Sequence, residues 1–181
     1  MELSIRSLRG AGDYQSIVCP LKVYVSTQTG RQYLLGYHYC AKRLSFFRLD
    51  AIRAVKAGHV ENQYEKYLAF QNKFDQNLWG VSTGLDLDLD HIEMTIQYGP
   101  EESFVLRRLE REKRHGTVEI LDEQTCRFTA DVYDASEMLP WIRTFIGRII
   151  ELKCSRRAVV DMFYEDLERM NALYGGDGNV I

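Results

Sequence analysis

The chain has 181 residues, room for one large domain or two small ones, and 45% hydrophobic residues with only 3 prolines exclude a disordered polypeptide. No apolar run has the length of a membrane-spanning helix, and the opening Met1-Glu2-Leu3-Ser4-Ile5-Arg6 lacks the apolar centre of a secretory signal. The net charge of −3 conceals an asymmetry: residues 1–60 hold nine Lys/Arg against Glu2, Asp13 and Asp50, and the remaining residues carry an excess of acid. Such a basic first third either meets an anion or is a solvated surface.

The first sixty residues read as short strands. Glu2–Arg9 alternates loosely and stops at Gly10-Ala11-Gly12, a turn signal. Ser16–Ser26 is rich in β-branched residues, and strand parity places Cys19, Leu21, Val23 and Val25 on one face and Lys22 and Tyr24 on the other. Thr27–Gly30 reads as a hairpin turn, and Arg31–Cys40 as the returning strand. The basic turn Lys42-Arg43 leads into Leu44–Ile52, where Phe47, Leu49 and Ala51 point one way and Phe46, Arg48 and Asp50 the other. Short strands and tight turns suit a small β-barrel. Val60–Phe74 reads as a helix, and 77–90 as a linker broken by Gly80 and Gly84.

The second half alternates strand and helix. His91–Tyr98 places Ile92, Met94, Ile96 and Tyr98 on one face. A helix opens at Pro100-Glu101-Glu102 and ends at Gly116, with proline and acids in its first turn. A hairpin of Thr117–Leu121 and Arg127–Tyr133 follows. Ser136 then caps a helix whose apolar stripe is Met138, Ile142, Phe145, Ile146 and Ile149. Ile150–Lys153 reads as a strand. The last helix, Arg156–Tyr174, is expected to bury Val159, Val160, Phe163, Leu167, Met170 and Tyr174 before Gly175. The order β-α-β-β-α-β-α suggests a ferredoxin-like sandwich with an added helix, in the α+β class. The expected division is a barrel domain with its trailing helix over 1–76, a linker over 77–90 and an α+β domain over 91–181.

The motifs of common enzymes are missing. No phosphate-binding loop pattern and no G-x-S-x-G nucleophile turn occurs, and Gly10-Ala11-Gly12 lacks the third glycine of a dinucleotide site. The chain is therefore read as a binding protein, not an enzyme, with no cofactor. The acidic run Asp86–Asp90 resembles a calcium loop only in part, because His91 stands where the sharp turn needs glycine and Gln97 where the bidentate glutamate belongs. His38 and Cys40 share a strand face, but a structural zinc site needs four ligands. Cys19, Cys40, Cys126 and Cys154 form no CxxC pair, and a reduced, cytoplasmic chain is the expectation. The chemistry that remains is the mix of Tyr33, Tyr37, Tyr39, Phe46 and Phe47 with Arg31, Lys42, Arg43, Arg48 and Arg53. Aromatic planes stack bases and arginine forks hold phosphates, although Asp50 lies on the Arg48 face and can pair with it.

Three stretches, Pro20-Leu21-Lys22, Gly30–Tyr37 and Phe46–Ile52, resemble the WYL domain family. Gln32-Tyr33-Leu34 stands for the tripeptide that names it, with tryptophan replaced, and Ala51 stands where the family's later motif has a second arginine. Arg107-Arg108-Leu109 with Glu112, Asp134, Glu137–Ile142, Phe145-Ile146-Gly147, Asp166, Met170 and Tyr174 resemble the WCX extension that follows such domains. The resemblance implies an Sm-like, SH3-type barrel and an extension that aids dimerisation and ligand capture. It also implies a place behind a helix-turn-helix in a bacterial transcription regulator. The implied ligand is a nucleotide or single-stranded nucleic acid. It would sit on Arg31, Tyr33, Tyr37, His38, Lys42, Arg43, Phe46, Arg48 and Arg53, with Arg107, Arg108 and Arg111 closing over it. Duplex DNA would be met only through a helix-turn-helix that this sequence does not contain, so a sensor fragment is expected. The alternative is mainly a homodimerisation module built on Trp141, Phe145 and the last helix.

Overall fold

The computed structural model describes residues 1–7, 12–58, 62–82 and 88–175. The chain divides into two units, Met1–Leu85 and Asp86–Ile181, and is of mixed α+β type, with one antiparallel sheet in each unit and four α-helices among the described residues.

The first unit is a five-stranded sheet of order β4-β3-β2-β1-β5, formed by β1 (Glu2–Arg6), β2 (Asp13–Val25), β3 (Gln32–His38), β4 (Arg43–Arg48) and β5 (Ile52–Lys56). The long β2 belongs to both halves of the sheet. Its first residues, Asp13–Ile17, pair with β1, and Val18–Val25 pair with β3. A register shift between Pro20 and Lys22 marks the bend. Gly36 lies opposite this point, where a Cβ would stand 2.3 Å from Val18 Cγ1 and 2.8 Å from the Cys19 carbonyl oxygen. Only glycine lets the two backbones approach so closely. The irregularity also breaks the face expected for Cys19, Leu21, Val23 and Val25. Val23 and Val25 are exposed, while Tyr24 is half-buried.

The hairpin at Thr27–Gly30 forms as expected. Gly30 sits at φ 68°, and Ser26 and Arg31 close the turn through a 2.8 Å backbone bond. The expected strand Leu44–Ile52 is instead β4, a 3-10 turn over Leu49–Ala51, and β5. That turn carries the chain from one edge of the sheet to the other. β4 and β5 are both edge strands, so the sheet is open and no closed barrel is found among the described residues. The core between its halves is Leu3, Ile5, Val18, Leu34, Phe47 and Ala51.

Helix α1 (Tyr64–Asp75) buries Tyr67, Gln71 and Phe74, a single face at i, i+4 and i+7. In the chain after it, Leu78 and Trp79 are 8% and 4% exposed.

The second unit has the sheet order β7-β8-β6-β9, every neighbour antiparallel, from β6 (Asp90–Gln97), β7 (Thr117–Ile120), β8 (Thr125–Val132) and β9 (Ile149–Cys154). Ile92, Met94 and Ile96 are fully buried as the alternation requires. Helix α2 (Ser103–Glu112) buries Val105 and Leu109, one turn apart. The helix expected from Ser136 is broken into a 3-10 turn, the short α3 (Leu139–Ile142) and a second 3-10 turn. Its cap is Asp134, whose Oδ1 accepts from the Ser136 backbone N–H at 3.1 Å. Met138, Leu139, Ile142 and Phe145 are still buried, because i, i+3 and i, i+4 spacings keep one face in either kind of turn. Helix α4 (Arg157–Tyr174) buries only Val159 and Phe163. Met170 and Tyr174, expected in the core, are exposed. An 18-residue helix runs about 27 Å, whereas the six-residue β9 gives it about 20 Å of sheet.

No described helix is long and apolar enough to cross a membrane.

Candidate ligand cleft

The strands β3 and β4 set the predicted site residues in register. Tyr33 lies opposite Arg48, Leu35 opposite Phe46, and His38 opposite Arg43. Five residues therefore separate the two ends of this ribbon, about 17 Å at strand rise, and the predicted residues fall into separate groups.

The first group lines a cleft of about 440 Å³. Tyr33, Phe46 and Arg48 form one wall. Ile5, Arg6 and Ser7 at the end of β1 and Tyr14 at the start of β2 form the opposite one. Phe47 and Ala51 floor it from the core, and Val81 from the segment after α1 completes it. The cleft thus lies between the ends of β1 and β4, beside the 3-10 turn that holds Ala51, and its lining joins aromatic and apolar surface to two guanidinium groups. That combination is what a small amphipathic anion needs.

Arg48 is held by Asp50. Its Nε donates to Oδ1 at 2.9 Å and its Nη2 to Oδ2 at 2.5 Å. The pair holds the Asp50 carboxyl below the usual carboxylate range, and the nearby Arg31 charge adds to this. Asp50 does not line the cleft. It grips one edge of the guanidinium and leaves the other N–H groups for a further acceptor.

The second group lies under α1. Tyr37 stacks on Tyr67 with centroids 4.1 Å apart and planes 10° from parallel. Phe46 meets Phe74 at 6.2 Å and Tyr24 at 5.4 Å. Asp75, at the end of the helix, accepts from Tyr24 Oη, from Lys22 Nζ at 3.0 Å and from Gln71 Nε2 at 3.0 Å. Burial alone would raise the Asp75 pKa, but these hydrogen bonds outweigh it and the carboxyl is held low. Burial and the Asp75 contact push the Tyr24 hydroxyl up. The aromatic row is in this part the seat of a helix, a use that strand parity alone does not distinguish from a stacking platform.

His38, Lys42 and Arg43 sit at the far turn. Lys42 takes a positive φ of 52°, and desolvation, then the Arg43 charge, lower the His38 pKa. Among the described residues no cluster of three metal-ligating side chains occurs, and His38 and Cys40 gain no companions. Arg53 is exposed on β5 and does not line the cleft.

Arg107, Arg108 and Arg111 belong to the second unit. Arg108 is engaged there: its Nε donates to Glu112 at 3.0 Å, its Nη2 to Thr144 Oγ1 at 2.7 Å, and its guanidinium covers the Phe145 ring at 4.5 Å. Arg107 and Arg111 are exposed. Of the acidic run, Asp86 and Leu87 lie outside the described residues. Asp90 is a structural anchor: it accepts from Arg156 Nε at 3.1 Å and from the Ala135 backbone N–H at 2.9 Å.

Sequence reasoning missed Arg6, Ser7, Tyr14 and Val81. Nothing local marks them, because each reaches the cleft only through the pairing of β1 with β2 and the return of the chain after α1.

No protein-family model matches the chain, and no curated protein matches it. Among solved structures it is similar to the proteasome accessory factor B/C (PafBC) of Arthrobacter aurescens, at 15% identity and a TM-score of 0.39, over 96% of this chain and 24% of that one. The chain thus spans about a quarter of that protein's length.

Proposed function

We propose that this chain is the effector-sensing part of a transcription regulator, and that the cleft between β1 and β4 takes a nucleotide or the end of a short single strand. One observation carries this reading: Tyr33 and Phe46 line the same cleft as Arg48 and Arg6. A base needs an aromatic neighbour, and a phosphate needs an arginine fork. The cleft volume suits one nucleotide better than a polymer, and α1 covers the aromatic surface on which a longer strand would continue. In this reading the first unit is an SH3-like barrel left open at its seam. The second, whose strand order is that of a split β-α-β pair, is the ferredoxin-like extension. Duplex DNA is then the task of a helix-turn-helix outside these residues.

The test is a titration of a fluorescent thymidine oligonucleotide and of AMP at two salt concentrations. Binding should weaken with salt and fall in Arg48→Ala. Affinity that is absent, or indifferent to both changes, sinks the proposal.

A second reading has its own observation. The end of α4 exposes Leu173 at 76% and Tyr174 at 82%, apolar surface that suits a second copy of the chain. A chain shortened before Met170 that elutes at the same size as the full chain would refute a homodimer built on this helix.

A further inference from the structure

The cleft wall includes a residue that belongs to no strand. Val81 lies six residues past the end of α1, on the stretch that runs on toward the second unit, and it lines the cleft with Tyr33, Phe46 and Arg48. This stretch follows directly from the helix end. The Asn77 N–H donates to the Phe74 carbonyl at 3.1 Å, prolonging the helix end, and Leu78 and Trp79 are buried just before Val81. A second route leads to the same place. Phe46 lines the cleft on one side and meets Phe74 of α1 at 6.2 Å. A molecule in the cleft therefore touches the exit segment directly, at Val81, and touches the helix that carries it through Phe46.

We propose that the ligand clamps this exit segment: binding in the cleft and docking of Leu78–Val81 on the first unit are one coupled equilibrium. The inference rests on the cleft reading given above and adds its output. If the segment lifts away, the cleft loses a wall, so a ligand binds the lifted state more weakly and must favour the docked one. Docking sets the place and direction in which the chain leaves the first unit. A bound effector is thereby converted into a restriction on everything that follows in sequence. The energetic scale is suitable, because a short segment held by two buried side chains opens locally at far lower cost than the whole unit.

Hydrogen exchange on the full chain tests this, with AMP as the probe and calorimetry recording its binding independently. At AMP concentrations about a hundredfold above Kd, amides of residues 78–82 should exchange at least about tenfold more slowly, because ligand that favours the docked state suppresses opening by a factor that grows with the ratio of its concentration to Kd. Amides on the outer strand β7 should not change. Val81→Ala should weaken both AMP binding and this protection, and Arg48→Ala should remove both together. If AMP binds and the exchange of 78–82 is unchanged, the coupling is refuted while the cleft stands. If neither AMP nor a phosphorylated thymidine oligonucleotide binds, the cleft reading itself falls and takes the coupling with it.

Discussion

Tyr37 and Tyr67 lie ring upon ring, 4.1 Å apart and within 10° of parallel. The contact fastens α1 to the sheet and turns part of an aromatic strand face into buried surface. Tyr67 is 6% exposed, so truncating it leaves a cavity. Tyr67→Ala should cost about 3 kcal/mol, seen as a lower urea midpoint for the first unit's transition. A loss below about 1 kcal/mol would show that the helix is held from elsewhere.

Arg48 supplies the cleft with a positive charge oriented by Asp50. Arg48→Ala should weaken binding of a phosphorylated oligonucleotide roughly tenfold or more. It should also flatten the dependence of log Kd on log salt by about one phosphate contact. Affinity measured at several salt concentrations reports both, and an unchanged slope would place the phosphate elsewhere.

Gly36 faces the irregular point of β2 with no room for a methyl group. Gly36→Ala should cost about 1–3 kcal/mol through overpacking, whereas Gly147→Ala, where a Cβ meets nothing within 4 Å, should be close to neutral. Thermal denaturation of the two variants side by side makes the comparison.

In the second unit His91 Nδ1 lies 2.8 Å from Asp131 and its Nε2 3.3 Å from Glu93. The Asp131 hydrogen bond is the largest of the influences that raise its pKa above 6.5. A raised folded value means that the fold prefers the protonated ring. This stabilisation is complete below pH 6.5 and is lost as the pH climbs through the higher folded value. The half-exposed pair contributes less than about 1 kcal/mol. Melting temperature should therefore drop slightly from pH 6 to about 8, and His91→Gln should flatten that drop.

Glu102 shows the opposite sign. The Arg148 guanidinium and the Gly99 N–H hold its carboxyl down to about 2, from an ordinary 4.5. The fold prefers the ionised form, so the contribution is present above pH 4.5 and is lost as the pH falls through 2. Acid titration of stability should show a shallower decline between these values in Glu102→Gln than in the wild type. Coincident curves would assign the ion pair no net role.

Much of the second unit was legible along the chain. Ile92, Met94 and Ile96 alternate cleanly, and Val105 with Leu109 or Val159 with Phe163 repeat at one helical turn, so local periodicity names the buried face directly. The first unit was less so. The Pro20–Lys22 irregularity reverses the parity on which the face of Val23 and Val25 was read, and the 3-10 turn at Leu49–Ala51 divides what looks like one strand. Both depend on how two distant backbones meet, and neither leaves a periodic trace.

The basic and aromatic character of residues 31–53, the hairpin at Thr27–Gly30 and the Arg48–Asp50 pairing all follow from residue type and spacing of two, because they are local. Which aromatics remain for a ligand was decided only in three dimensions. Helix α1 takes Tyr37 and one side of Phe46, the cleft keeps Tyr33 and the rest of Phe46, and Arg6, Tyr14 and Val81 arrive from distant parts of the chain to close it. A side chain's neighbours across a sheet edge are set by pairing and chain return, and those are properties of the folded whole.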